Sequence, residues 1–516
     1  MKELMAQTAV NVYNPADGRL VGRVVDETRE SVAEKARTLR GAQPGWEALG
    51  HKVRAYWLFE LQTWLLDHSA HIADVLQSET GKPRAEAELE VPAWVDLINY
   101  FARNTGKFLA DVRPRPHGPL GWTKKLTTTF RPYQLVGVIT PWNFPLGMAA
   151  MDIPPALMAG AAVLLKPSEV TPLSALELAR GWDEIGAPKV FAVATGSGDT
   201  GSGDTGGAVV DAVDYVQFTG STRTGQAVAR QCVDQLKPYS LELGGKDPAL
   251  VLADADIDRA AHGIAWGALF NAGQVCVSIE RVYVEAPVYD EFVTKLTQRV
   301  GELRQGQDDR GFGFDIGPMA NMDQRDIVQR HVEEAVAAGA RATVGGNPTG
   351  IGAFFQPTVL VDVDQSMSCI QEETFGPTIP VIKVADADEA IRLANDSRYG
   401  LSASVWTRDS AQGQRVARRL DAGAVNINDA VANLFSFALP MGGWKQSGIG
   451  SRWGGNAGVR KYCRQTAITE PRLPPVINEP MWFPYSKARI RFVFGAMRAV
   501  GARGLRRFGL PKEKDR

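Results

Sequence analysis

The chain has 516 residues, 44% of them hydrophobic and 22% charged, with a formal net charge of −1; it exceeds the ~250–300 residues over which one core grows, so at least two domains are expected, and its charge balance gives no reason to expect nucleic acid as a partner. Four widely spaced cysteines, Cys232, Cys276, Cys369 and Cys463, form no CxxC pair and no zinc-type arrangement, so neither a disulfide framework nor a metal site is expected. The start, MKELMAQTAV, lacks a signal-peptide core and no apolar run approaches the ~18 residues that span a bilayer, so a cytoplasmic protein is expected.

Residues 10–25 place β-branched residues on both sides of the turn signal Asn14-Pro15-Ala16-Asp17-Gly18, which predicts a hairpin. From Glu30 to about Gly106 apolar residues recur at spacings of three and four, through Trp57, Leu58, Leu61, Leu65 and Ile72, as helices require. From Val136 the reading is α/β: strand QLVGVIT, a helix through Pro155 to Ala161, strands AVLLK, KVFAVAT and YVQFTG, and a helix over 221–235. Such alternation argues for parallel βαβ units with ligands at the carboxyl ends of strands. After Gly245 a second α/β pattern runs through DPALVLA, RVYVE, TIPVIKV, LSASVWT and GAVNIN.

Between these patterns lies the stretch 239–284, which holds Glu242 in an apolar strand ending at Gly244-Gly245 and Cys276 in a loop opened by Asn271-Ala272-Gly273-Gln274. A carboxylate that can serve as base and a thiol that can serve as nucleophile are the minimum for covalent catalysis with a hydrolytic second step. LELGGK and NAGQ-x-C, with PWNFP at 141–145, KPSEVTPLSA at 166–175, FTGSTRTG at 218–225, EETFGP at 372–377 and PMGGWKQSG at 440–448, resemble the ordered motifs of the NAD(P)-dependent aldehyde dehydrogenase superfamily. The resemblance implies two Rossmann-like α/β domains plus a small β oligomerisation hairpin: residues 1–111 and 133–244 for the dinucleotide, 245–445 for catalysis, 112–132 and 455–470 for oligomerisation into a homodimer or homotetramer. It also implies that Cys276 attacks an aldehyde, Asn143 helps hold the oxyanion and Glu242 activates the water that releases the acid. Trp142, Lys166, Ser168, Glu169, Gly220, Ser221, Gly225, Gly244, Glu373 and Phe375 match positions that bind the cofactor. A carboxylate at Glu169 accepts ribose hydroxyls and repels a 2′-phosphate, which favours NAD while leaving NADP open.

Gly196, Gly198 and Gly201 also spell GxGxxG, but GSGDTGSGDTGG is a tandem repeat and is read as a flexible, lengthened loop. The wording NAGQVCVSIERVYVE and PMGG is closest to a bacterial succinate-semialdehyde dehydrogenase-like branch. Where relatives established on that substrate carry arginines, this chain has Met151 and Phe270; with Phe435 these predict an apolar pocket, which penalises an unpaired carboxylate. An apolar aliphatic or aromatic aldehyde is therefore expected, with succinate semialdehyde, acyl transfer to coenzyme A and a catalytically silent member as alternatives. Arg464 stands where many relatives have Glu. The segment 471–516 is basic and apolar by turns, with Arg489, Arg491, Arg498, Arg503, Arg506 and Arg507 among Ile490, Phe492, Val493, Phe494 and Leu505, an amphipathic tail suited to peripheral membrane contact.

Overall fold

The structure is a computed structural model that describes residues 9–198, 204–308, 310–474, 477, 479 and 481–508. It divides into two compact units, 1–108 with 132–462, and 109–131 with 463–516.

In the first unit, strands Ala9–Tyr13 and Leu20–Val25 form the expected antiparallel hairpin, with Ala9 opposite Val25. The Asn14 side chain accepts from the Ala16 N–H at 2.8 Å, the Asx turn that Asn-Pro encodes. Helices Arg29–Ala48, Gly50–Asp67, Ser69–Thr80 and Glu90–Phe108 follow. Leu58, Leu61, Leu65 and Ile72 are all buried, as their spacing requires.

Two sheets form the centre of this unit. The first has six strands in the order Gly448–Ile449, Tyr239–Glu242, Tyr215–Thr219, Leu135–Ile139, Ala162–Lys166 and Phe191–Val193. All neighbours are parallel except the antiparallel edge strand Gly448–Ile449. Leu135–Ile139, Ala162–Lys166 and Tyr215–Thr219 are buried at every position, which is why they read as continuous apolar runs. The second sheet has seven strands, Arg341–Val344, Thr358–Val361, Thr378–Val384, Ile279–Glu285, Asp247–Val251, Ser402–Trp406 and Ala424–Ile427. Its antiparallel edge strand Arg341–Val344 is short and only partly buried, so it carries no clear alternation.

Three expectations need correction. The helix expected through Pro155 spans Pro145–Ala159: Pro145 occupies its first turn, where a missing N–H costs nothing, and Glu90 Oε2 accepts from Leu146 and Gly147 at 3.0 and 2.7 Å. The second half of the glycine repeat is not all loop, because Asp204 accepts from Gly207 N–H and caps helix Thr205–Ala212; residues 199–203 of the repeat lie outside the described residues. Trp57, expected in the buried series with Leu58 and Leu61, is only half-buried, because it sits one residue off the face that those two share.

In the second unit, strand Lys124–Pro132 pairs with Cys463–Pro471. Pro114, Pro116 and Pro119 deprive the preceding segment of ladder donors, and only Val112 bridges back, to Thr128. Lys125 and Glu470 join the pair at 2.9 Å, and Arg472 N–H donates to the Thr123 carbonyl at 2.7 Å. Arg464 lies on Cys463–Pro471. Helix Lys487–Gly501 follows and packs on the short helix Gly118–Gly121.

Candidate active site

Glu242 is the last residue of its strand, and Gly244-Gly245 turns the chain away. Gly245 is required there, since a Cβ would stand 2.5 Å from the Cys276 carbonyl oxygen. Cys276 follows a loop in which Asn271, Ala272 and Gly273 take φ of 53°, 55° and 73°. Left-handed backbone costs roughly 1–2 kcal/mol at each non-glycine residue, and side chains hold it. Glu86 Oε1 accepts from the Asn271 N–H at 2.7 Å, Asn271 Nδ2 donates to the Asn143 carbonyl at 2.9 Å, and Gln274 Nε2 donates to the Asn271 carbonyl at 3.0 Å. At Gly273 a Cβ would meet the Gly376 carbonyl at 2.2 Å.

The loop delivers Cys276 to the base. Its Sγ donates to Glu242 Oε1 at 3.3 Å. Glu242 is 1% exposed and the thiol half-buried. Burial, then the neighbouring Glu242 carboxylate, push the thiol well above its ordinary range, and Arg452 opposes them. The resting sulfur is therefore a protonated thiol with its acceptor in place. Asn143 is buried; its Nδ2 donates to the Gln274 carbonyl at 2.8 Å, which ties it to the nucleophile loop, while Oδ1 has no partner.

Sequence reasoning missed Arg452. Its Nη1 lies 2.6 Å from Glu242 Oε1 and its Nη2 3.5 Å from Asp152 Oδ2. The one available signal is an arginine set between small residues and Trp453 just after PMGGWKQSG.

The residues expected to hold a dinucleotide fall at strand ends. Lys166 closes its strand, and its Nζ pairs with Glu169 Oε2 at 3.0 Å; Ser168 Oγ accepts from Val170 N–H in the same turn. Ser221 caps helix Thr222–Asp234 by accepting from Thr224 N–H, and Gly220 N–H donates to the Glu242 carbonyl at 3.1 Å. Gly225 has a packing reason of its own, since a Cβ would stand 2.4 Å from Leu243 Cδ2. Glu373 Oε1 accepts from Gly245 N–H at 3.0 Å, beside Gly244. Phe375, at φ 50°, meets the Trp142 ring edge-on at 5.4 Å. Thr219 ends and Thr140 follows two neighbouring parallel strands, Ser197 lies beyond the edge strand Phe191–Val193 of the same sheet, and each keeps a buried hydroxyl oxygen without a partner among the described residues. Partnerless hydroxyls along the carboxyl edge of a parallel sheet fit a polar dinucleotide.

The pocket residues are only partly brought together. Met151 is buried and Phe435 is 59% exposed. Phe270 stacks on Phe144 at 5.5 Å and tilts against Trp266 at 5.3 Å, and with Trp266, Leu89, Leu269 and Ile316 it lines a cavity of about 290 Å³ that includes neither Met151 nor Phe435.

The family model for the aldehyde dehydrogenase family matches residues 3–468. The chain belongs to that family. A protein from Sinorhizobium fredii named probable succinate-semialdehyde dehydrogenase, NADP(+), is 38% identical over 467 residues, 88% of this chain and 91% of its own. The 4,4'-diapolycopene aldehyde oxidase of a Methylomonas species is 38% identical over 510 residues, 95% and 92% of the two chains. The crystal structure of an aldehyde dehydrogenase from Brucella melitensis biovar abortus superposes with a TM-score of 0.85 at 35% identity, covering 90% of this chain and 95% of that one. This aldehyde dehydrogenase is thus an NAD(P)-dependent enzyme of the α/β fold that its motifs implied.

Proposed function

We propose that this aldehyde dehydrogenase oxidises an apolar aliphatic or aromatic aldehyde through a thioester on Cys276. The observation that carries the assignment is the 3.3 Å contact between the Cys276 thiol and Glu242 Oε1. As sulfur bonds to the carbonyl carbon, Glu242 takes the thiol proton, and the oxyanion of the adduct meets the Asn143 amide beside the Cys276 backbone N–H. A nicotinamide held beside Cys276 would supply the hydride acceptor that oxidation of the adduct to a thioester requires. Glu242 gives the thiol proton up to solvent and then removes a proton from water as the water oxygen attacks the thioester carbon; the carbon–sulfur bond breaks, the proton returns to sulfur, and the acid leaves.

Lys166, Ser168 and Glu169 would hold the adenosine ribose, Ser221 and its helix terminus the pyrophosphate, and Glu373 and Phe375 the nicotinamide end. The six-stranded sheet is thereby the dinucleotide half and the seven-stranded sheet the catalytic half. The Glu169 carboxylate supports NAD, whereas the Sinorhizobium relative bears an NADP(+) name.

For the substrate, the cation that acts on the nucleophile argues against a carboxylate-bearing aldehyde, since Arg452 already pairs with Glu242 and Asp152. The aromatic stack of Phe144, Phe270 and Trp266 and the Methylomonas relative, named for a long polyene aldehyde, support an apolar one. Succinate semialdehyde is the second reading, favoured by the Sinorhizobium relative's name. Strand Cys463–Pro471, exposed at eight of its nine positions, supports a homodimer or homotetramer, because an open edge pairs with another strand. A cytoplasmic enzyme with peripheral membrane contact through its C-terminal helix completes the reading.

The test is reduced-cofactor formation by wild type and Cys276→Ala, with NAD and with NADP, on hexanal, decanal, benzaldehyde and succinate semialdehyde. Turnover of the apolar aldehydes, greater with NAD and absent from the variant, is expected. Preference for succinate semialdehyde contradicts the pocket assignment, and activity in the variant contradicts the nucleophile.

A further inference from the structure

Glu242 does not face the thiol alone. Four ionisable side chains of alternating sign run inward from it: Glu242, Arg452, Asp152 and Lys461. Glu242, Arg452 and Asp152 are each 1% exposed and Lys461 7%. Asp152 comes from the middle of helix Pro145–Ala159, and its Oδ1 accepts from Lys461 Nζ at 3.1 Å and from the Tyr462 hydroxyl at 2.9 Å. Lys461 also donates to Gln217 Oε1 at 2.7 Å. Trp453 lies 5.2 Å under the Arg452 guanidinium, and Arg452 Nη2 reaches Met148 Sδ at 3.3 Å. Buried ion pairs of this kind bring little net stability over apolar side chains of the same volume. Their place against a nucleophile asks for a chemical reason.

The two oxygens of Glu242 supply it. Oε1 is occupied by both Arg452 and the thiol, whereas Oε2 is buried and has no partner. We propose that Arg452 is a positioning residue for the base: from 2.6 Å it fixes Oε1 against Cys276 and leaves Oε2 as the atom that takes the proton of the hydrolytic water. The proposal rests on Glu242 being that base. In the step, water oxygen bonds to the thioester carbon, its proton passes to Oε2, the carbon–sulfur bond breaks, and Glu242 returns the proton to sulfur. One water is consumed, the acid and the thiol are regenerated, and nothing is oxidised.

The charged and titratable groups around Glu242 are Cys276 from the nucleophile loop, Arg452, Asp152 from its helix, and Lys461, with Tyr462 on Asp152 and Asp247 acting on the thiol. Burial brings Lys461 down to about 8, opposed by Asp152, so the inner end of the chain loses its positive charge at alkaline pH. Arg452 remains the counter-charge throughout.

Thioester hydrolysis would be followed by single-turnover kinetics with hexanal and NAD between pH 5.5 and 9, in wild type, Arg452→Gln, Arg452→Lys and Glu242→Gln. A buried carboxylate stripped of its cation gains protons more readily. In Arg452→Gln, hydrolysis at neutral pH should fall about ten-fold or more and its acidic limb should move up by about one pH unit or more. Arg452→Lys should return the limb to the wild-type position. An Arg452→Gln limb at the wild-type position, however slow the enzyme, overturns the proposal, because a purely structural arginine lowers the rate without moving the profile. Should Arg452→Gln not fold, Arg452→Met, which removes the charge at similar volume, takes its place: a limb moved up supports the proposal and a limb at the wild-type pH overturns it. Glu242→Gln separates the two assignments, since wild-type hydrolysis in that variant removes the base itself whatever Arg452 does.

Discussion

Glu86 shows how a residue with no part in the chemistry can govern it. The side chain is buried, one oxygen holds the Asn271 N–H at the start of the left-handed run, and the other has no partner. Burial raises its pKa to about 7, opposed by that hydrogen bond. The folded value lies above the ordinary value near 4.5, so the unfolded chain releases this proton first as pH rises. The stability that the protonated group contributes is complete below about 4.5 and is lost as pH climbs through about 7. Glu86→Gln keeps a carbonyl acceptor for Asn271 but does not titrate. The melting temperature of the variant relative to wild type should therefore increase between pH 4.5 and 7.5. A constant difference across that window would show that Glu86 does not change ionisation on folding.

Among the elements, helix Lys487–Gly501 is the one whose sequence asks for a partner outside the chain. From 481 to 508 there are seven cations, Lys487, Arg489, Arg491, Arg498, Arg503, Arg506 and Arg507, and no acidic residue. Phe492 and Phe494 are 72% and 75% exposed. Among the described residues no helix is long and apolar enough to cross a membrane, but cations beside exposed aromatic rings suit the surface of an anionic bilayer. The full-length enzyme should sediment with phosphatidylserine vesicles and less so at about 0.5 M salt. Phe492→Asp with Phe494→Asp should leave it in the supernatant, and equal partitioning of the two proteins would remove the membrane reading. The buried parallel strands and the nucleophile loop were legible in the sequence because each is a local pattern: a continuous apolar run, or a fixed set of small and amide side chains. Pairings set by distant chain were not. The edge strand Arg341–Val344 and the Arg452 contact with Glu242 depend on what folding brings near, and an arginine in a glycine-rich loop looks like surface.

In the whole first unit, two sheets place a base and a nucleophile where neither could act alone. Glu242 closes a strand of the six-stranded sheet, and Cys276 precedes strand Ile279–Glu285 of the seven-stranded one. Gly245 lets the backbones come close enough for the 3.3 Å contact. What that joint is for, in this account, is a thioester on Cys276 that Glu242 discharges. Mass spectrometry of the wild-type enzyme, acid-quenched within its first turnover with hexanal and NAD and then digested, tests this most directly. The account predicts a hexanoyl group on the peptide that contains Cys276 and none on Cys232, Cys369 or Cys463. An unmodified Cys276 after NADH has formed, or acylation of another cysteine, would contradict it.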